Sequence, residues 1–198
     1  MVVPADKAGW RAWLLTRRRS LSAEQVAAAA ASLTGHVLWA MRDARRVAAY
    51  IPVGREPGSL DLLDGLRSSG TVVLLPVVCA GLQLDWAVYQ GRDAVLAGPH
   101  GLREPTGDRL GPPAVGTADA VLAPALAVDH AGTRLGRGVG YYDRALARVP
   151  RHVPVAALLH DGELVERLPA DAWDRPVTAA VTPASGWTEL PLVAHHRS

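Results

Sequence analysis

Apolar residues along this chain cluster in short runs rich in valine and alanine, separated by stretches with helical spacing. "VAAYI" at 47–51 and "TVVLLPVV" at 71–78 read as buried strands. Between them Ser59 opens a capped helical stretch to Leu66, so the three segments form a βαβ unit. Upstream, Ser22 and Gln25 stand in capping-box spacing before a run of strong helix formers, which predicts a long helix from about Ala23. Residues 7–19 read as a first helix. "LQLDWAVY" alternates apolar and polar positions, as a strand with one exposed face does. Further on, "AVLAPALAVD" from Ala120 reads as one buried strand, "YYDRALARV" as a helix, "VPVAALLH" as a strand and "VTAAVTP" as the last strand. The alternation predicts an α/β fold: a mostly parallel central sheet with helices on both faces.

The stretch from Gln90 to Thr117 breaks this rhythm. It is dense in glycine and proline, and a structureless loop of that length inside a compact domain is commonly functional. With 198 residues and 49% apolar content the chain has enough material for one sizeable core, so a single domain over 1–198 is expected. Residues 191–198 have the composition of a loose tail.

Charge changes the picture little. Twenty-one basic residues oppose 19 acidic ones, a net charge of +2, which does not describe a nucleic-acid surface. Arg17 to Arg19 read as a solvated basic face. The one cysteine, Cys79, cannot form an internal disulfide and points to a reducing compartment. "MVVPADKAGWR" lacks the apolar core of a signal peptide, and no apolar run is long enough to span a bilayer, so a soluble, cytoplasmic protein without a membrane partner is expected.

The chemistry concentrates in "GTRLGRGVGYYDRAL" from Gly132 to Leu146. Glycines at 136, 138 and 140 leave backbone amides unobstructed ahead of a helix N-terminus, and Arg134 and Arg137 offer charge-assisted hydrogen bonds to phosphate oxygens. The segment reads as a phosphate cradle or as a glycine-rich turn with solvated arginines, and it is not a Walker loop, since no Lys-Ser or Lys-Thr pair follows it. Asp143 reads as a helix-start charge or as a magnesium ligand beside phosphates. Glu56 and Asp129 each follow a strand, where ligands of open α/β sheets sit. Lys7 and Arg11, spaced i,i+4, share one face of the first helix, whether a solvated face or a functional one.

Taken in order, Lys7-x-x-x-Arg11, Glu56, "REP" near 104, "APALAVDHAGTRLGRGVGYYDRAL" and "LPADAWD" resemble the 5-formyltetrahydrofolate cyclo-ligase family over almost the whole chain. The resemblance implies a single three-layer domain of the NagB/RpiA/CoA transferase-like kind, with residues 1–19 contributing to an ATP site. It implies conversion of 5-formyltetrahydrofolate to 5,10-methenyltetrahydrofolate with ATP as co-substrate and Mg2+ as cofactor, by a monomer or homodimer, through a phosphorylated formyl intermediate. By position, Lys7, Arg11, Arg134, Leu135, Gly136, Arg137, Gly138, Val139, Gly140, Tyr141 and Tyr142 resemble the ATP site, and Lys7, Arg134 and Tyr142 take the catalytic places. Ile51, Glu56, Trp86, His100 and Tyr141 resemble the folate site, although Trp86 also reads as core and His100 as a plain loop residue. Asp143 and Asp174 resemble the metal ligands. Two residues depart from the family pattern: Val139, where a left-handed backbone would be strained by a β-branched side chain, and Thr178, where relatives commonly carry aspartate.

Two other classes are compatible with parts of the sequence. A catalytically silent folate- or nucleotide-binding module would keep the fold without turnover, and a nucleic-acid binder would use Arg17 to Arg19.

Overall fold

Two helices lead the chain into its first strand. α1 (Lys7–Ser20) starts at Asp6, whose side chain accepts the Gly9 amide, and α2 (Ala23–Ala40) starts with the reciprocal capping box between Ser22 and Gln25. The computed structural model describes residues 4–98, 101–171 and 174–191. After α2 come β1 (Arg46–Ala48), α3 (Leu60–Ser68), β2 (Val72–Cys79) and β3 (Gln83–Val88), then a short hairpin of β4 (Val95–Ala97) and β5 (Arg103–Pro105). They are followed by β6 (Ala120–Pro124), β7 (Ala127–Asp129), β8 (Arg134–Leu135), α4 (Tyr141–Leu146), β9 (Val155–Leu158), β10 (Leu164–Val165), β11 (Ala179–Thr182) and β12 (Gly186–Glu189).

Seven strands form the main sheet in the order β12-β11-β9-β6-β1-β2-β3. The five inner strands run parallel, and β12 and β3 close the edges antiparallel. Alternate residues on the inner strands sort into two cores. Val47, Val73, Leu75, Leu122 and Leu158 pack against Leu33 and Val37 of α2 and Leu62, Leu63 and Leu66 of α3. Ala48, Leu74, Val121, Ala123 and Ala157 pack against Val115, Ala145 and Leu146 on the opposite face. This is the expected α/β architecture with a mostly parallel sheet covered on both sides. No described helix is long and apolar enough to cross a membrane.

Four local expectations need correction. "AVLAPALAVD" is two strands, not one: β6 ends in the main sheet at Pro124, and β7 joins a small sheet of order β10-β7-β8. "VTAAVTP" is not the last strand, because the turn after Thr182 returns the chain as β12, paired antiparallel with β11. The stretch from Gln90 to Thr117 is not structureless, since it holds the β4–β5 hairpin and a 3-10 turn at Pro112–Thr117. The loose tail expected at 191–198 lies, apart from Pro191, outside the described residues.

The fourth correction concerns Arg18, which is not on a solvated face. Trp10, Leu14 and Arg18 form the buried line of α1, and the two apolar residues pack on Leu126, Ala127, Leu135 and Leu168. Arg18 continues that line into a buried fork: its Nε and one terminal nitrogen donate to the two oxygens of Glu163 at 2.7 and 2.8 Å. The same terminal nitrogen donates to the Ala125 carbonyl at 2.7 Å, and Glu163 also accepts the His160 amide at 2.8 Å. Side-chain exposure is 5% for Arg18 and 4% for Glu163, so losing either partner strands a charge in the interior. We therefore expect Arg18→Ala to lower the unfolding free energy by about 3–5 kcal/mol, the usual cost of breaking a buried pair from one side. Arg19→Ala, on the exposed face, should change it by no more than about 0.5 kcal/mol. Urea denaturation of both variants checks this, and equal effects would contradict the buried fork.

Candidate active site

β1 and β6 are neighbours, yet the chain leaves β1 toward β2 on one side and returns through β6 on the other. Connections diverging from adjacent parallel strands open a crevice beyond their carboxyl ends. A cavity of about 650 Å³ occupies this place, with Tyr50, Ile51 and Glu56 after β1 on one flank and Pro124, Ala125 and Leu126 on the other. α1 closes one end. Lys7 and Arg11 lie one step round the helix from the buried Trp10–Leu14–Arg18 line, so docking that line aims both cations into the cavity.

The glycine-rich segment forms the adjoining wall. No amide from Gly136 to Gly140 donates to another described residue, which leaves a row of free N–H groups. Gly138 has φ +99°, and a Cβ there would meet the Arg11 guanidinium at 3.2 Å. Gly140, at φ +84°, turns the chain into α4. Arg11 Nε donates to the Gly136 carbonyl at 3.0 Å and ties the loop to α1.

Carboxylates hold the other cations. Lys7 Nζ contacts Asp171 at 2.7 Å and Asp174 at 2.6 Å. Burial works against the charge on Lys7, but the two aspartates outweigh it and raise its pKa. Burial likewise pushes Asp174 up, and the Asp171 amide and Lys7 together bring it below the usual carboxylate range. Arg134 donates to Asp143 at 2.6 Å, with its guanidinium 6.0 Å from the centre of the Tyr142 ring. The Tyr142 hydroxyl is buried and has no hydrogen-bond partner among the described residues. Burial first, and the nearby Glu56 charge second, raise its pKa well above the ordinary phenol value, so it stays protonated at neutral pH and has a hydrogen to donate.

Away from this cationic end the walls become apolar. Ile51, Pro76, Val78, Leu84 and Leu102 line the cavity, together with Glu56. One oxygen of Glu56 accepts the Val53 amide at 3.0 Å and the other accepts Arg137 Nε at 2.9 Å.

Of the residues singled out in the sequence, Lys7, Arg11, Ile51, Glu56, Arg134 through Asp143, and Asp174 all line this one cavity. Trp86 does not. It is 0% exposed and packs in the core with Ala145 and Leu146 of α4 rather than on the cavity lining. His100 lies outside the described residues. Asp129 is buried and saturated by the amides of Ala131, Thr133 and Leu168, which makes it the organiser of a turn and not a cavity group. Thr178 lies off the cavity and accepts the Val155 amide at 2.9 Å. Val139 is not strained, because Leu82 is the one described non-glycine residue with positive φ.

Asp171, in "LPADAWD", and Arg103 and Glu104, in "REP", stood in the motifs of the resemblance but were given no place in the site. Asp171 had a signal, its i,i+3 spacing from Asp174 in "LPADAWD". Glu104 accepts the Val78 amide at 2.8 Å and so pins the β4–β5 hairpin over β2, bringing Leu102 and Arg103 to the cavity rim.

No group of three or more His, Cys, Asp or Glu residues among the described ones is arranged to hold a metal by itself. Asp143 and Asp174 are two carboxylates on the cavity lining, paired with Arg134 and Lys7 respectively. That donor set fits a hard cation held mainly by phosphate and water oxygens, as magnesium is in nucleotide sites, and does not fit a closed protein cage.

Comparison with known proteins agrees with this geometry. A family model described as the 5-formyltetrahydrofolate cyclo-ligase family matches residues 3–183. The chain is 42% identical over 192 residues to a 5-formyltetrahydrofolate cyclo-ligase of Mycolicibacterium smegmatis, covering 94% of this chain and 98% of the relative. It is 32% identical over 148 residues to the Escherichia coli K12 protein of that name, covering 73% and 81%. The NMR structure of Aquifex aeolicus 5,10-methenyltetrahydrofolate synthetase superposes with a TM-score of 0.75 at 30% identity, over 96% of this chain and 98% of that one. A match that runs nearly end to end, with its motifs gathered around one switch-point cavity, shows that this chain belongs to the 5-formyltetrahydrofolate cyclo-ligase family.

Proposed function

We propose that the cavity binds ATP at its cationic end and 5-formyltetrahydrofolate at its apolar end, and that the chain converts the folate to 5,10-methenyltetrahydrofolate with formation of ADP and phosphate. The observation that carries this reading is the polarity of one cavity. Lys7, Arg11, Arg134 and the 136–140 segment, whose amides have no acceptor among the described residues, line one part, and Ile51, Pro76, Val78, Leu84 and Leu102 line another, with Glu56 tied to the first through Arg137.

A formyl oxygen on nitrogen is a poor leaving group and must be activated before ring closure. Its oxygen attacks the γ-phosphorus as the bond to ADP breaks. Nitrogen 10 then closes on the resulting iminium carbon and gives up its proton, and the carbon–oxygen bond breaks to release phosphate. The chain's task is alignment and neutralisation of charge. Lys7 and Arg11 hold the triphosphate from α1, and the loop amides with Arg134 meet the transferred group. Tyr142, kept neutral, donates a hydrogen bond beside it. Glu56 accepts N–H donors of the pterin edge with Ile51 against the ring, and Pro76, Val78, Leu84 and Leu102 bury the aminobenzoyl portion. Asp143 and Asp174 would hold magnesium, which when bound neutralises charge on the phosphates.

The direct test is the appearance of 5,10-methenyltetrahydrofolate absorbance when the purified chain meets 5-formyltetrahydrofolate. We expect a rise that needs ATP and disappears when EDTA exceeds magnesium; folate binding with no rise under any condition would sink the catalytic reading in favour of a silent binding module. Arg134→Ala and Lys7→Ala should each lower kcat by about 10²–10³, the usual effect of removing one donor to developing charge. Glu56→Ala should raise the folate KM without raising the ATP KM, and a rise in the ATP KM alone would move Glu56 out of the folate site. Gly138→Ala should raise the ATP KM, because a Cβ at φ +99° strains the loop and displaces Arg11. An unchanged ATP KM would show that this loop geometry is not used.

A further inference from the structure

Arg137 and Glu56 are assigned to different substrates, yet they are bound to one another. Arg137 projects from the loop assigned to phosphate, whereas Glu56 is the carboxylate assigned to the pterin. Arg137 Nε donates to Glu56 Oε1 at 2.9 Å, while Oε2 accepts the Val53 amide at 3.0 Å, so both carboxylate oxygens have partners in the free chain. Their surroundings differ: side-chain exposure is 55% for Arg137 and 13% for Glu56. Glu56 is the more buried partner and is held also by the Val53 amide, and Arg137 is the more exposed one, on a segment with glycine on either side.

We propose that Arg137 is a positioning residue that couples the two substrate sites, its ion pair with Glu56 restraining folate binding until nucleotide draws the guanidinium away. The inference rests on the functional reading above. A polyphosphate carries more charge than one carboxylate and accepts from a guanidinium through two parallel N–H groups, so Arg137 turns to the phosphates when ATP is bound. Glu56 Oε1 is then free to accept an N–H of the pterin edge. Whichever substrate binds first breaks the ion pair, and the second no longer has to. Binding coupled in this way is positive and reciprocal. Because Arg137 is well exposed, the restraint is modest, amounting to an affinity change of up to about fivefold.

Calorimetric titration of the full chain with 5-formyltetrahydrofolate, with and without saturating magnesium and the non-hydrolysable analogue AMP-PNP, tests this in the wild type and in Arg137→Gln. The wild type should bind folate about two- to fivefold more tightly when the analogue is present. Arg137→Gln should bind folate more tightly than the wild type in the absence of nucleotide, by a similar factor, and gain little from the analogue. A merely structural role for Arg137 would weaken folate binding. Weaker folate binding by Arg137→Gln, or coupling that is absent from the wild type or equal in both proteins, overturns the proposal and leaves the functional reading standing. A wild-type chain that binds neither ligand overturns both.

Discussion

At the carboxyl end of β6 the chain must leave the main sheet, and the backbone groups it frees there have no ladder to join. Pro124 is the last β6 residue in register with β9, and the next carbonyl, that of Ala125, is taken by buried Arg18. The same guanidinium grips both oxygens of Glu163 just before β10, which pairs with β7. One buried fork thus joins α1, the exit of β6 and the small sheet, three parts that share no strand of the main sheet. Buried polar groups left unpaired cost far more than a hydrogen bond returns, so this junction has little freedom to rearrange. The direction in which α1 presents Lys7 and Arg11 follows from it.

Among the described residues, three cations of the cavity are paired with carboxylates, whereas Arg11 donates to the Gly136 carbonyl. Lys7 sits between two aspartates, Arg134 on Asp143, and Arg137 on Glu56. These pairs keep long side chains near the positions where they are needed, at the cost of competition from their own carboxylates. A ligand of higher negative charge shifts that competition. The free amides of 136–140 are different, since nothing in the described structure must be displaced for them to accept an anion. Family membership and geometry therefore meet in a cavity that is partly preformed and partly held by exchangeable ion pairs.

Much of this was legible in the residues. The capping signal at Ser22 and Gln25 is local, and it appears as read. The apolar runs at 47–51 and 71–78 became β1 and β2 of the parallel sheet because strand burial on both faces demands such runs. Arg18 was illegible because helical spacing shows which face a residue occupies but not what waits opposite it, and Glu163 is 145 residues away. Trp86 was ambiguous for the same reason: an indole suits a core as well as a stacking site, and the α4 layer above it decided. Asp129 looked like a ligand by its place after a strand, but three nearby amides claimed it first.

By itself, then, the sequence determined what depends on neighbours along the chain: the helix starts, the α/β alternation, the glycine loop and the motif order that marks the family. Only the tertiary structure decided which charges meet. The division of "AVLAPALAVD" between two sheets, the burial of Arg18 and the reach of Arg137 to Glu56 are contacts between segments far apart in sequence. Their physical cause is the switch point, where connections diverging from β1 and β6 leave a space that α1, the glycine loop and the β4–β5 hairpin enclose together.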